Sequence, residues 1–322
     1  INGEDMLSIV QAKMKLPMDF VQYIYNNFNE KMADKILSGM CQERKTTFRI
    51  NTLKCEKRDV YEYLDKNNIE YMIPSFYDEA VILKNINEKD IINTDLYKEG
   101  KIYLQSLSSM VPPIVLEPME EEKVLDMTAA PGSKTTQIAC MMKNKGTILA
   151  NEIDKIRCDR LKYNVEKQGI NIVEVINEDA RNLGKKHTEE FDRVLLDTPC
   201  SGEGRFEVDD KHSYSNWSTS MVKDLSNLQK DLIKSAHQAL KPGGILVYST
   251  CTLNKYENEN IVEFAIKEFG MNVIDIKLDV KEKTKGISKS ISDKNVAKQV
   301  EKAIRIIPSE NMEGFFICKL RK

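Results

Sequence analysis

The chain has 322 residues, of which 41% are hydrophobic and 30% charged, and its formal net charge is −2. This is the composition of an ordinary globular protein, long enough for one large domain and a smaller one, and its overall charge does not announce a nucleic-acid partner. No apolar run approaches the roughly 18 residues of a membrane span, and no basic start leads into the short apolar stretch of an export signal.

The chain begins at Ile1 rather than Met, which points to a start other than the native one. Residues 18–39 carry Phe20, Val21, Ile24, Phe28, Met32 and Ile36 at helical spacing, predicting one helix that closes at Gly39. Residues 41–58 hold six Lys/Arg against Glu43 and Glu56, a pattern that suits phosphate contacts and equally a solvated surface. Strand candidates at 46–53, 69–73 and 80–83 flank a helix at 59–67, so residues 1–104 read as helices followed by a small α+β unit.

From about residue 105 the alternation becomes regular. Strands at 123–127, 146–151, 172–176, 193–197 and 245–249 are separated by helices starting near Lys134, over 154–168 and over about 220–240, the last ending at Lys-Pro-Gly-Gly. Short apolar strands between helices predict a parallel sheet covered on both faces, hence a doubly wound, Rossmann-like α/β domain over 105–322. Residues 279–299 are polar and lysine-rich and read as an exposed loop or mobile insert. Phe315–Leu320 reads as an antiparallel edge strand. The final stretch, 277–322, is again basic, with twelve Lys/Arg against six acids. Neither coiled-coil heptads nor a long apolar edge is present, so a monomer is expected.

In such a sheet, ligands bind beyond the carboxyl ends of the strands. The first strand runs into a turn of small residues, Thr128, Ala129, Ala130, Pro131, Gly132 and Ser133, with Lys134 opening a helix. Small side chains let a ligand approach the backbone, and the helix N-terminus offers free N–H groups. The turn matches neither G-x-G-x-x-G nor the phosphate-binding loop. Glu152 follows the second strand, placed to accept ribose hydroxyl hydrogens, with Asp154 as a helix cap. Asp179 follows the third, in a position to meet an adenine amino group. Singly, each of these also fits a plain connection, a helix cap or a solvated turn.

Seven cysteines (41, 55, 140, 158, 200, 251 and 318) are scattered without a C-x-x-C pair, which argues against a metal site and a disulfide framework and for a reducing cytoplasm. A lone cysteine at the end of an apolar strand is usually core. Here Asp197-Thr198-Pro199-Cys200-Ser201-Gly202-Glu203-Gly204 and Ser249-Thr250-Cys251-Thr252 end consecutive strands. Two thiols at adjacent carboxyl ends face one crevice.

This set of motifs, in this order, resembles the Sun/Nop family of RNA (cytosine-5) methyltransferases. The bacterial branch that acts on ribosomal RNA (RsmF-like) is nearest, on Ala129–Thr135 and the ending Glu313-Gly314-Phe315-Phe316. Phe48-Arg49-Ile50-Asn51-Thr52-Leu53-Lys54 and Gln105-Ser106-Leu107-Ser108-Ser109-Met110 extend the likeness forward, so that it covers roughly residues 17–322. Position 198 is Thr where the resemblance leads one to expect Ala or Pro. Some members carry a C-terminal RNA-binding extension, which this sequence does not show.

The resemblance implies transfer of a methyl group from S-adenosylmethionine to carbon 5 of a cytosine in RNA, ribosomal or transfer. Carbon 5 is a poor nucleophile, and covalent attack at carbon 6 makes it enamine-like. The family pattern makes Cys251 the nucleophile and Cys200 the base that releases product. Asp197 is suited to the N3 edge of the ring, and Lys134 to the same pocket. The cofactor is expected across Thr128–Lys134, Glu152, Asp179 and Asp197, with Arg157 more consistent with a helix surface. The target cytosine must be single-stranded or flipped out. Residues 1–104 are expected to hold the RNA, and Tyr214 and Trp217 to seal the domain rather than stack on a base.

Three rivals remain at this point. A DNA cytosine-5 methyltransferase leaves the Ser-Thr-Cys-Thr element without a job. An N-methyltransferase wants an Asn/Asp-Pro-Pro-aromatic loop, which Thr198-Pro199-Cys200 matches poorly. A non-catalytic RNA assembly factor has no need of two thiols and an intact cofactor loop.

Overall fold

The structure, a computed structural model, describes residues 3–322; Ile1, on which the reading of the chain's start rests, lies outside them. Three helices open it, Gly3–Lys15, Met18–Asn27 and Glu30–Gly39. The single helix expected over 18–39 is therefore two. Phe28 is extended (φ −119°, ψ 153°), and the Asn29 side chain accepts the Met32 N–H at 2.8 Å, a local cap that starts a new helix within an unbroken apolar period. The break lets Phe20, Ile24, Phe28, Ile36 and Leu37 share a core with Phe206, Leu253 and Ile307 from late in the chain.

A small sheet follows, built from β1 (Thr47–Ile50), β2 (Tyr71–Met72), β3 (Ala80–Leu83) and β4 (Ile102–Leu104) in the order β2-β3-β1-β4, antiparallel throughout. The helix Lys57–Lys66 lays Val60 and Leu64 on Phe48 and Ile50, giving this unit its own apolar core.

The main sheet contains β5 (Lys123–Asp126), β6 (Thr147–Asn151), β7 (Val173–Ile176), β8 (Phe191–Asp197), β9 (Leu240–Thr250), β10 (Asn272–Ile274), β11 (Lys283–Lys285), β12 (Ile304–Ile306) and β13 (Phe315–Arg321). Its order is β11-β12-β13-β9-β8-β5-β6-β7, with β10 also paired to β13. The run β9-β8-β5-β6-β7 is parallel, as the alternation of apolar strands and helices predicts. The order of connection reverses between β5 and β8, which opens a crevice at their carboxyl ends.

Three expectations change here. β13 is antiparallel to β9 but is not an edge, because β12 and β10 pair with its other side. The stretch 279–299 is not a free insert: β11 lies within it and the helix Lys294–Val300 covers its end, with Val296 and Val300 buried. Their two apolar side chains at helical spacing are too few to stand out among the lysines. The Lys-Pro-Gly-Gly segment belongs to β9, which starts directly where the helix Thr219–Ala239 ends. Each basic zone also turns one arginine inward, since Arg49 and Arg305 are fully buried. No helix of the described residues is long and apolar enough to cross a membrane.

Candidate active site

Asp197 at the end of β8 lies opposite Ser249 on β9, so the two loops that follow leave the sheet side by side. Thr198 N–H donates to the Ser249 carbonyl at 3.1 Å, and Gly204 N–H to the Cys251 carbonyl at 2.9 Å. Across this doubly tied pair the Sγ atoms of Cys200 and Cys251 stand 3.1 Å apart, and both thiols are free and half-buried. Glycine is required where the Cys200 loop meets the segment just before β13: a Cβ on Gly204 would sit 2.0 Å from the Gly314 carbonyl oxygen. The hydrogen bond to Cys251, and after it burial, pushes the Cys200 thiol well above its ordinary range.

Both oxygens of Asp197 are held. Oδ2 pairs with Lys134 Nζ at 2.8 Å and Oδ1 accepts the Ser249 hydroxyl at 2.8 Å. Lys134 also donates to Ser109 Oγ at 3.1 Å and stands 5.8 Å from the centre of the Phe315 ring. At the end of β5, buried Asp126 accepts the Thr135 hydroxyl at 2.6 Å. Burial pushes its carboxyl up to about 6, against the pull of that bond and of Lys134.

The turn Thr128–Ser133 is fixed by its carbonyls. Arg157 donates to Ala130 O at 3.0 Å and Asn164 to Pro131 O at 2.7 Å. From the small sheet, Arg49 donates to Ser133 O at 3.1 Å, Thr136 Oγ1 at 2.7 Å and Gln105 Oε1 at 2.9 Å. What stays open is a cavity of about 750 Å³. It brings together Thr128, Ala129, Ala130, Pro131, Ser133, Lys134, Asp197 and Cys251, and continues past Arg157 toward Tyr97 and Lys167.

Four expected residues do not line it. Gly132 caps the helix Ser133–Met141 from a left-handed conformation (φ +113°), so backbone freedom is its contribution. Cys200 reaches the cavity only through its contact with Cys251. Glu152, buried just past β6, accepts the Asp154 N–H at 2.9 Å and faces Arg157 at 3.8 Å. Asp179 pairs with Arg181 at 2.7 Å and lines a separate cavity of about 350 Å³. Arg157 is exposed on its helix as expected and also lines the main cavity, because the Asp154 cap places it in the first helical turn beside Ala130. Trp217 packs edge-on against Phe20 and Phe206 and donates to Glu203 at 3.0 Å, and Tyr214 packs on Phe206. Sequence reasoning passed over Asp126, Ser109 and Arg205. Asp126 stood within the strand expected at 123–127 and Ser109 inside a quoted motif, whereas Arg205 gave no signal.

Residues 113–321 match the family described as 16S rRNA methyltransferase RsmB/F. The chain belongs to the RsmB/F methyltransferase family. As a member it is an S-adenosylmethionine-dependent RNA (cytosine-5) methyltransferase. It is 39% identical over 279 residues to the tRNA (cytosine(49)-C(5))-methyltransferase of Pyrococcus abyssi, covering 86% of this chain and 88% of that protein. It is 35% identical over 319 residues to ribosomal RNA small subunit methyltransferase F of Vibrio atlanticus, covering 97% of this chain but only 65% of that one. A crystal structure of a methyltransferase homologue from Pyrococcus horikoshii superposes with a TM-score of 0.84 at 29% identity, over 100% of both chains. The donor set of this RsmB/F chain suits its cofactor. The turn presents alanines rather than bulky side chains, and the helix Ser133–Met141 offers its N-terminal N–H groups.

Proposed function

We propose that Cys251 is the nucleophile and Cys200 the base of product release in methylation of a cytosine that is single-stranded or flipped out of an RNA helix. The observation that carries this reading is the 3.1 Å contact between the two sulfurs at the ends of adjacent parallel strands. The Cys251 thiolate adds to carbon 6, and the electron pair moves toward carbon 5 and the ring edge. Asp197, fixed by Lys134, is offered to the N3 edge, where charge develops. When bound, S-adenosylmethionine supplies the electrophilic methyl group that carbon 5 takes. Cys200 then gives its own proton to solvent and takes the one from carbon 5. The C–H electron pair restores the 5,6 double bond, and the carbon–sulfur bond breaks to return the Cys251 thiolate. A thiol held neutral by its surroundings is a poor competing nucleophile and, once ionised, a strong base.

The cofactor lies across Thr128–Lys134, Glu152, Asp197 and, through the adjoining strand end, Asp179. Residues 1–104 form the RNA-binding region and 105–322 the catalytic domain. The separate core of the small sheet supports that division, and the aromatic and basic far end of the cavity supports an RNA path between the two. The substrate is ribosomal or transfer RNA, and bisulfite sequencing of cellular RNA with and without the protein identifies the site. The protein acts as a cytoplasmic monomer, in keeping with seven free thiols.

Replacing each cysteine by Ala tests the roles. Cys200→Ala accumulates an RNA adduct that survives denaturing electrophoresis, and Cys251→Ala forms none. An adduct retained by Cys251→Ala and lost by Cys200→Ala reverses the assignment.

A further inference from the structure

Beneath the two thiols lies a group of buried polar side chains that the reaction as described does not use. Glu203, Asn254 and Glu257 are all less than 3% exposed, and Ser201, Gln229 and Thr252 close around them. Glu203 belongs to the loop of Cys200, yet its Oε1 accepts the N–H groups of Leu253 and Asn254, each at 3.0 Å, from the loop of Cys251. Its Oε2 accepts Asn254 Nδ2 and Trp217 Nε1, also at 3.0 Å. Glu257 belongs to the loop of Cys251, yet its Oε1 accepts the Ser201 N–H at 2.9 Å and its Oε2 the Ser201 hydroxyl at 2.6 Å, from the loop of Cys200. Gln229 and the same Asn254 amide complete its shell, and Tyr248 on β9 donates to its backbone carbonyl at 2.6 Å. Each loop thus holds the other by a buried carboxylate, and Asn254 joins the two acids.

We propose that Glu203 and Glu257 are positioning residues of the methyl-transfer reaction: a crossed clasp that fixes the two thiol loops in mutual register and sets the negative field in which Cys200 works. This rests on the reading of Cys251 as nucleophile and Cys200 as base.

The physics favours a functional over a purely structural reason for two acids here. Neither carboxylate is ion-paired among the described residues, and a buried carboxylate without a cation costs several kcal/mol of desolvation. Neutral amides would hold the loops more cheaply. Eight hydrogen bonds from seven donor atoms recover part of that cost without cancelling the charge. Burial and the neighbouring Glu257 push the Glu203 carboxyl upward, as two acids in one dry site require. The groups acting on Cys200 include the Cys251 thiol, Glu257, Asp197, the buried Tyr248 phenol and the cation Arg205, with Lys134 paired to Asp197 behind it. After the hydrogen bond to Cys251, burial and the charge on the Cys251 sulfur, the charges of Glu257 and then Asp197 hold the Cys200 thiol high. Because the sulfurs touch, a pyrimidine enters only if one of them swings aside. With the backbone on both sides clasped, that movement is a side-chain rotation, and the closed arrangement is regained after release.

The test uses the full chain. Cys200 alkylation by iodoacetamide is followed against pH in Cys251→Ala and in Cys251→Ala/Glu257→Gln. Steady-state methylation is measured in Glu257→Gln alone. The expected results are an alkylation midpoint lower by about one pH unit, corresponding to about 1.4 kcal/mol, and a turnover number reduced at least tenfold with S-adenosylmethionine affinity within twofold. Ser201→Ala, which keeps the charge and removes one donor, leaves the midpoint in place and lowers turnover. An unmoved midpoint together with unchanged turnover in Glu257→Gln overturns the proposal. Should that variant fail to fold, Glu203→Gln takes the turnover reading alone, and unchanged turnover there overturns the clasp. The proposal fails separately from the reading beneath it, which the adduct experiment with the single cysteine variants, both carboxylates intact, decides.

Discussion

The two loops that carry the thiols and the loop that faces the cofactor are built to different plans. The thiol loops hold each other, through Glu203 and Glu257 and through backbone bonds that run directly between them. The turn Thr128–Ser133 is held from outside, by Arg157 and Asn164 of the next helix and by Arg49 of the small sheet. The mutual register of the thiols is therefore set mainly by bonds between their own two loops, which pack on the N-terminal helices through Phe206, Leu253 and the Lys255 N–H to Tyr23. The cofactor turn is instead tied to the small sheet through Arg49, so a disturbance of that sheet reaches the cofactor half of the site before the thiols.

Arg49 gives the sharpest way to break this contrast. Arg49→Met strips Gln105, Ser133 and Thr136 of a buried donor and is expected to cost about 3 kcal/mol of stability. In the folded fraction, S-adenosylmethionine affinity measured by calorimetry falls by about tenfold, while covalent capture of RNA by Cys251 persists. Equal loss of both would mean that the two halves are not separately supported.

Lys134 sits where the halves meet, on the cofactor helix but paired with Asp197. Lys134→Met is expected to lower turnover about a hundredfold, the size of effect seen when one preorganised charge is lost, with cofactor affinity changed only a few-fold. A change confined to affinity would place Lys134 wholly on the cofactor side.

The effect confined to stability, with none expected on the chemistry, is a pH dependence at Asp126. Its carboxyl is raised from 3.8 to about 6 in the folded chain. Between those values the native state keeps a proton that the unfolded chain has lost. The stability owed to this side chain is thus full below about pH 4 and declines as pH rises through about 6. Asp126→Asn removes the dependence, so chemical denaturation at pH 4 and pH 8 should show the variant gaining on the native sequence by up to about 3 kcal/mol. A constant difference would mean that Asp126 titrates normally.

Much of this was legible before the structure. Strands of apolar residues ending in Asp197 and Thr250 told the sheet, and two cysteines just beyond adjacent strand ends told the crevice, because parallel pairing leaves no other place for them. Periodicity was blind where a polar side chain decides the local structure. Asn29 splits one apolar run into two helices, and the lysines around Val296 and Val300 hide a short helix and the strands beside it. The roles of Arg49 and Glu257 were out of reach for another reason. A charged side chain reads as surface in a sequence, and only its neighbours reveal that it is buried and fully engaged.

The central claim is that one sulfur bonds the base while the other stands beside it. RNA carrying 5-azacytosine in place of cytosine can be incubated with the native chain and S-adenosylmethionine, digested with nuclease and protease, and mapped by mass spectrometry. The account predicts the nucleotide mass on the peptide that contains Cys251, with Cys200 unmodified. Nucleotide attached to Cys200, or to neither thiol, would contradict it.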